Sequence, residues 1–203
     1  DTSQCLGTLL TKGTLVTPDV VVVASLWSDL SPAHFAPTVD HRGEPPAFTL
    51  DDSSWAPLKR LAIYRVMDRF LGTELGTRKV GFLGDLANDA ELGLHPPRIT
   101  TEDFRTNLLA MHAAAERLGA VTLFISLPAP IDFSDTPLLK RIVDYRKVIL
   151  EVAQETGSPF LDGPAEFKRR GGRLSYFLDQ VHPAAEGHRL LGDAISDLLK
   201  PLL

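Results

Sequence analysis

The apolar residues of this chain fall into blocks of two kinds, and their alternation predicts a fold. Asp19-Val-Val-Val-Val-Ala-Ser-Leu26 runs without polar alternation, as does a strand covered on both faces of a parallel sheet. It stops at Trp27-Ser28-Asp29. Ahead of it, Leu6, Leu9, Leu10, Leu15 and Val16 suffice for a short helix or a packed arm. After a loop with Pro32, Pro37, Pro45 and Pro46, Pro57 suits the first turn of a helix that continues through Leu58, Leu61, Ile63, Val66, Phe70 and Leu71. Gly72 ends it. Residues 73–98, with Gly93, Pro96 and Pro97, read as an irregular excursion over the surface.

From Thr100 the periodicity sharpens. Thr100 and Asp103 have capping-box spacing, and Phe104, Leu108, Met111, Ala115 and Leu118 form one helical face. Gly119 closes that helix, and Val121–Leu127 is the next strand. A loop from Pro128 to Asp135 precedes a helix over 136–156, and Pro159–Asp162 is a third short strand. A polar stretch with Lys168, Arg169, Arg170 and Arg173 leads to Asp179, and a last helix over 184–199 carries Leu190, Leu191, Ile195 and Leu198. Strand, crossover and helix recur with lengths that favour a parallel three-layer α/β sheet in one domain over 1–203. Ligands of such sheets bind beyond the carboxyl ends of the strands. Trp27–Asp29, Pro128–Asp132, Asp162 and the Asp179–His182 loop should meet at that edge.

Composition narrows the function classes. With 21 basic and 26 acidic residues the net charge is −5, which is not the electrostatic footprint of a nucleic-acid binder. Cys5 is the only cysteine, so an intrachain disulfide and a thiolate-based zinc or iron–sulfur site are excluded. No run reaches the roughly 18–20 apolar residues of a membrane span. The sequence starts at Asp1, as a mature product or a piece of something longer would. Secreted, periplasmic and cytoplasmic locations all remain open. His34, His41 and His95 have no compact metal-site spacing, and the acidic pairs Asp51–Asp52 and Asp85–Asp89 read as loop residues. Lys168-Arg-Arg170 with Arg173 reads as a solvated basic loop. There is no glycine-rich phosphate loop, so neither a metal nor an organic cofactor is expected.

The chemistry concentrates in Asp179-Gln-Val-His182-Pro183. A histidine acting as general base needs one ring nitrogen facing the nucleophile and the other held by an acceptor, usually a carboxylate. An acid three residues earlier can fold back to supply it. By spacing alone Asp-x-x-His is a common and weak signal, and a surface turn with a charge pair before a helix explains it better. The longer stretch Leu178-Asp-Gln-Val-His-Pro-Ala-Ala-Glu-Gly-His188 resembles the carboxyl-terminal signature of the SGNH (GDSL-like) serine hydrolases. Pro97–Leu108, Phe124–Pro128, Tyr145–Asp162 and Pro18–Val23 resemble further segments of that superfamily. The resemblance implies a flavodoxin-like (SGNH hydrolase) parallel sheet and ester hydrolysis by a Ser-His-Asp triad, with His182 and Asp179 as two of its members. It implies an acyl ester or O-acetylated carbohydrate as substrate.

Two departures from the family pattern shape the expectation. Leu26-Trp27-Ser28-Asp29 stands where the family has Gly-x-Asn-Asp, so Ser28 takes the oxyanion position, while Trp27, Asp29 and Pro128 are candidate walls of the substrate cleft. No Gly-Asp-Ser block occurs; Gly84-Asp85 is followed by Leu86. The nucleophile is therefore unknown, and the sheet is expected to be incomplete on its N-terminal side. An N-terminal companion fragment, or a second subunit, would cover the bare edge of the Val20–Leu26 strand. The alternative is a non-catalytic SGNH-like structural or interaction protein.

Overall fold

A computed structural model of the chain describes residues 1–30, 97–133, 140–179 and 181–201. The helix expected over 57–72, most of the 73–98 excursion, and His34, His41 and His95 lie outside the described residues. In chain order the elements are α1 (Thr2–Val16), β1 (Val20–Val23), α2 (Trp27–Leu30), α3 (Thr101–Arg117), β2 (Val121–Ser126), a 3-10 turn (Pro130–Phe133), α4 (Lys140–Thr156), β3 (Phe160–Asp162), α5 (Gly163–Arg169), a second 3-10 turn (Leu174–Tyr176) and α6 (Ala185–Leu199). The strands pair in parallel in the order β1-β2-β3, with Val20 opposite Val121 and Phe124 opposite Phe160. This is the parallel α/β architecture that the hydrophobic pattern predicts.

Local chemistry sets the boundaries. Asp1 caps α1 by accepting from the Gln4 amide at 3.1 Å, and the Gln4 side chain completes a capping box. β1 is shorter than its apolar run because the Leu26 carbonyl accepts from the amides of Asp29 and Leu30, curling the chain into α2. Thr100 caps α3 through the Asp103 amide, as the spacing predicts. Gly119 then takes φ 75 in the turn into β2, a conformation that glycine adopts without a Cβ clash.

The strand period divides the core. Phe124 joins Val23, Phe104, Leu108, Met111, Tyr145 and Ile149 on the face covered by α3 and α4. Its neighbours Leu123 and Ile125 point the other way, to Leu161, Ala194 and the partly buried Leu191 and Ile195. Helices thus cover both faces of the sheet, and the carboxyl ends of all three strands share one edge. Among the described residues β1 pairs only with β2. Val22, on the α6 side of β1, is 45% exposed.

The basic stretch near residue 170 differs from the solvated loop expected of it. Asp162 accepts from the Ala165 amide at 3.1 Å and Pro164 occupies the first turn, so Lys168 and Arg169 end a helix. Arg170 bridges Glu166 on α5 and Asp197 on α6. The missing apolar periodicity hid this element. No helix among the described residues is long and apolar enough to cross a membrane.

Candidate active site

The turn between the second 3-10 turn and α6 brings Asp179 and His182 together. Asp179 Oδ2 lies 2.7 Å from His182 Nδ1, while its Oδ1 accepts from the backbone amides of Val181 and His182 at 2.9 and 2.8 Å. The Leu178 amide donates to the His182 carbonyl at 2.8 Å, closing the turn. Partial desolvation alone would raise the Asp179 carboxyl; the Val181 amide, the His182 ring and the His182 amide outweigh it and hold the group below its ordinary value. With Nδ1 engaged by the carboxylate, the neutral ring carries its lone pair on Nε2. The His182 side chain is 70% exposed, so a reactant can reach it.

Aromatic packing fixes where the turn sits. Phe177 contacts Phe133 at 5.8 Å and Phe167 at 5.6 Å between ring centroids. Phe133 ends the 3-10 turn that follows β2, and Phe167 lies on α5 directly after β3. The Asp179–His182 turn therefore stands at the carboxyl edge of the sheet, as the spacing argument expects. Gly187, in the first turn of α6, packs so closely on the Tyr176 carbonyl and Pro183 that a Cβ there would lie 2.9 Å from Pro183 Cβ.

The other residues singled out from sequence occupy the same edge with different surroundings. Ser28 is exposed on α2. Asp29 is fully buried and turns toward α1, where its Oδ1 accepts from the Thr2 amide at 2.8 Å and the Thr2 hydroxyl at 2.6 Å. Burial pushes its carboxyl up despite those donors, and Oδ2 is buried with no hydrogen-bond partner. Pro128 is buried beneath Gly163, where a Cβ would come within 2.9 Å of Pro128 Cδ. Trp27 is half-buried under the Arg146 guanidinium, 5.9 Å from it, and its Nε1 is buried without a partner.

Sequence reasoning missed a clamp beside these residues. Arg146 on α4 donates to Asp132 at 2.6 and 2.8 Å and to the Leu127 carbonyl at 2.8 Å, while Asp132 also accepts from the Ala129 amide. It fixes the chain leaving β2. A lone arginine in an amphipathic helix carries no signal of such a partner.

The architecture is a parallel α/β sheet with helices on both faces and an aspartate–histidine pair on the loop before its last helix. The sequence profile of the GDSL-like lipase/acylhydrolase family matches residues 87–190. That span exceeds half of the chain, and the chain belongs to this family, whose members are ester hydrolases. Among curated proteins no relative matches the sequence. The fold is similar to that of a catalytic mutant of Axe2, an acetylxylan esterase from Geobacillus stearothermophilus, with TM-score 0.56 and 13% identity, covering 98% of this chain and 68% of that one. It is also similar to LAE5, an alpha/beta hydrolase enzyme from the metagenome of Lake Arreo, Spain, with TM-score 0.52 and 12% identity, covering 95% and 66%. At these identities the likeness is one of fold.

Proposed function

We propose that this chain contributes the histidine and aspartate of a serine ester hydrolase, with His182 as general base and Asp179 as the group that orients it. The observation that carries the reading is the 2.7 Å contact between His182 Nδ1 and Asp179 Oδ2 on an exposed turn at the carboxyl edge. His182 Nε2 takes the proton of a serine hydroxyl as its oxygen attacks the ester carbonyl. The tetrahedral oxyanion is held by the Ser28 hydroxyl and by backbone amides beside the nucleophile. Collapse expels the alcohol, which receives the proton from His182 and leaves an acyl-serine. Water then attacks that ester, giving up its proton to His182, and the serine and a carboxylic acid are released. Trp27, only half-buried, flanks the cleft, while the buried Asp29 and Pro128 shape the strand ends beneath it; the substrate is an acyl ester or an O-acetylated carbohydrate.

The sequence contains no Gly-Asp-Ser block. The serine is therefore assigned to a segment beyond these 203 residues or to a companion chain. The edge of β1 left open among the described residues is a fitting seat for such a segment. A second reading, a non-catalytic member of the family, is favoured by one observation. Asp29, retained from the family's oxyanion block, is fully buried and spends Oδ1 on the N-terminus of α1.

Treating the native protein with a fluorophosphonate probe and weighing its denatured components separates the two. An adduct on a companion polypeptide, or on a chain heavier than 22.2 kDa, supports the hydrolase. An unlabelled 22.2 kDa species alone, beside a labelled control hydrolase, establishes the non-catalytic reading. In a labelled preparation His182→Ala lowers ester turnover by about 10⁴-fold, and Asp179→Asn is similarly severe because it scrambles the tautomer. Normal turnover in His182→Ala refutes the mechanism.

A further inference from the structure

We propose that Phe177 is the positioning residue of the site: its ring, wedged against Phe133 and Phe167, holds His182 in register with Asp179. The proposal rests on the reading of that pair as the reactive groups. His182 and Asp179 have side chains 70% and 54% exposed, so little packs against the two groups themselves. Asp179 Oδ1 is tied to the Val181 and His182 amides, and the seating of this small turn on the rest of the protein comes from its foot. Two features define that foot, the backbone bridge between Phe177 and Pro183 and the Phe177 ring.

The ring is the stronger tether because its partners are anchored elsewhere. Phe167 is fully buried on α5. Phe133 follows Asp132, which Arg146 grips from α4, and Lys168 lies 5.9 Å over the Phe133 ring. All three ring pairs are tilted, at 36° to 52°, with centroids 5.6 to 6.3 Å apart, separations at which aromatic rings attract one another. The nearby apolar residues Leu174 and Leu178 are 53% and 76% exposed and tether nothing of comparable depth. One continuous path thus runs from α4 through Asp132, Phe133 and Phe177 to His182.

The test reads the ring nitrogens directly in the native protein. Long-range proton–nitrogen spectra report the His182 tautomer, and the signal missing in His182→Ala identifies it among the six histidines. In the unaltered protein His182 shows the Nδ1–H tautomer with a low-field proton from its bond to Asp179. Phe177→Ala loses that proton and mixes the tautomers, whereas Phe177→Tyr retains it and Leu178→Ala leaves it unchanged. Phe133→Ala, which removes the ring's partner from outside the turn, gives the same loss; it decides the matter if Phe177→Ala fails to fold. A folded Phe177→Ala or Phe133→Ala protein that keeps the low-field proton overturns the proposal, as does an equal loss in Leu178→Ala. Ester turnover is measured separately: loss of the proton with normal turnover leaves the positioning role intact and refutes His182 as the base.

Discussion

Two glycines of α6 offer a controlled experiment on how the histidine turn is seated. A Cβ on Gly187 would press into the Tyr176 carbonyl oxygen and lie 2.9 Å from Pro183 Cβ; a Cβ on Gly192 would meet nothing within 4 Å. Both positions gain helix propensity on Gly→Ala, worth about 1 kcal/mol each. At Gly192 that gain stands alone. At Gly187 a backbone carbonyl is in the way and cannot rotate aside, so α6 must shift outward. The Tyr176 carbonyl also accepts the Ala184 amide at 2.8 Å, and losing that bond costs about 1 kcal/mol. Overpacking adds roughly 1–3 kcal/mol. The balance leaves Gly187→Ala about 1–3 kcal/mol less stable and Gly192→Ala about 0.5–1 kcal/mol more stable. Urea unfolding with a common m-value reads both. A displacement near 1 Å at the turn should also lower ester turnover by about 10²-fold. Shifts of the same sign in the two variants would refute the close-approach argument.

Two further predictions concern the charged clamps. Replacing Arg146 with Met strands the Asp132 carboxylate, whose side chain is 2% exposed, at a cost of about 3–5 kcal/mol in urea unfolding; adding Asp132→Asn should recover part of it, and a single-variant loss below ~1 kcal/mol contradicts a buried pair. Acid should loosen the α5–α6 contact. Arg169 first, with Arg170, lowers Glu166 to about 2, and Lys200 first, with Arg170, lowers Asp197 to about 2. Carboxyls depressed in the folded state stabilise it above their unfolded values, and that contribution is lost as pH falls from about 4 toward 2. Arg170→Met should flatten this part of the stability profile; parallel profiles would show that the bridge carries no linkage.

Legibility in the sequence followed the range of the interaction. The strand Val121–Ser126, the cap at Thr100 and the Asp179–His182 contact are written in residues at most a few positions apart, and local pattern found them. Asp29 reaches back to Thr2, Arg146 reaches Asp132 across a loop, and Phe177 meets Phe133 and Phe167. Each of these depends on which surfaces the completed sheet brings together. The position of Asp29 suggested a place in the cleft, yet a donor pair on α1 captured its carboxylate. The basic stretch misled for the opposite reason, because its helix is specified by a cap and a proline with no apolar period.

The pairing of β1 with β2 has a consequence for biosynthesis. Val20 lies opposite Val121, so β1 leaves the ribosome about 100 residues before its hydrogen-bonding partner exists. At roughly 5–20 residues per second that is a wait of about 5–20 s. Throughout it, the four valines Val20–Val23, a run of high β-propensity, lack their β2 partner. Closure of this part of the sheet must therefore trail synthesis of β1, by a delay set by the spacing of two strands along the chain.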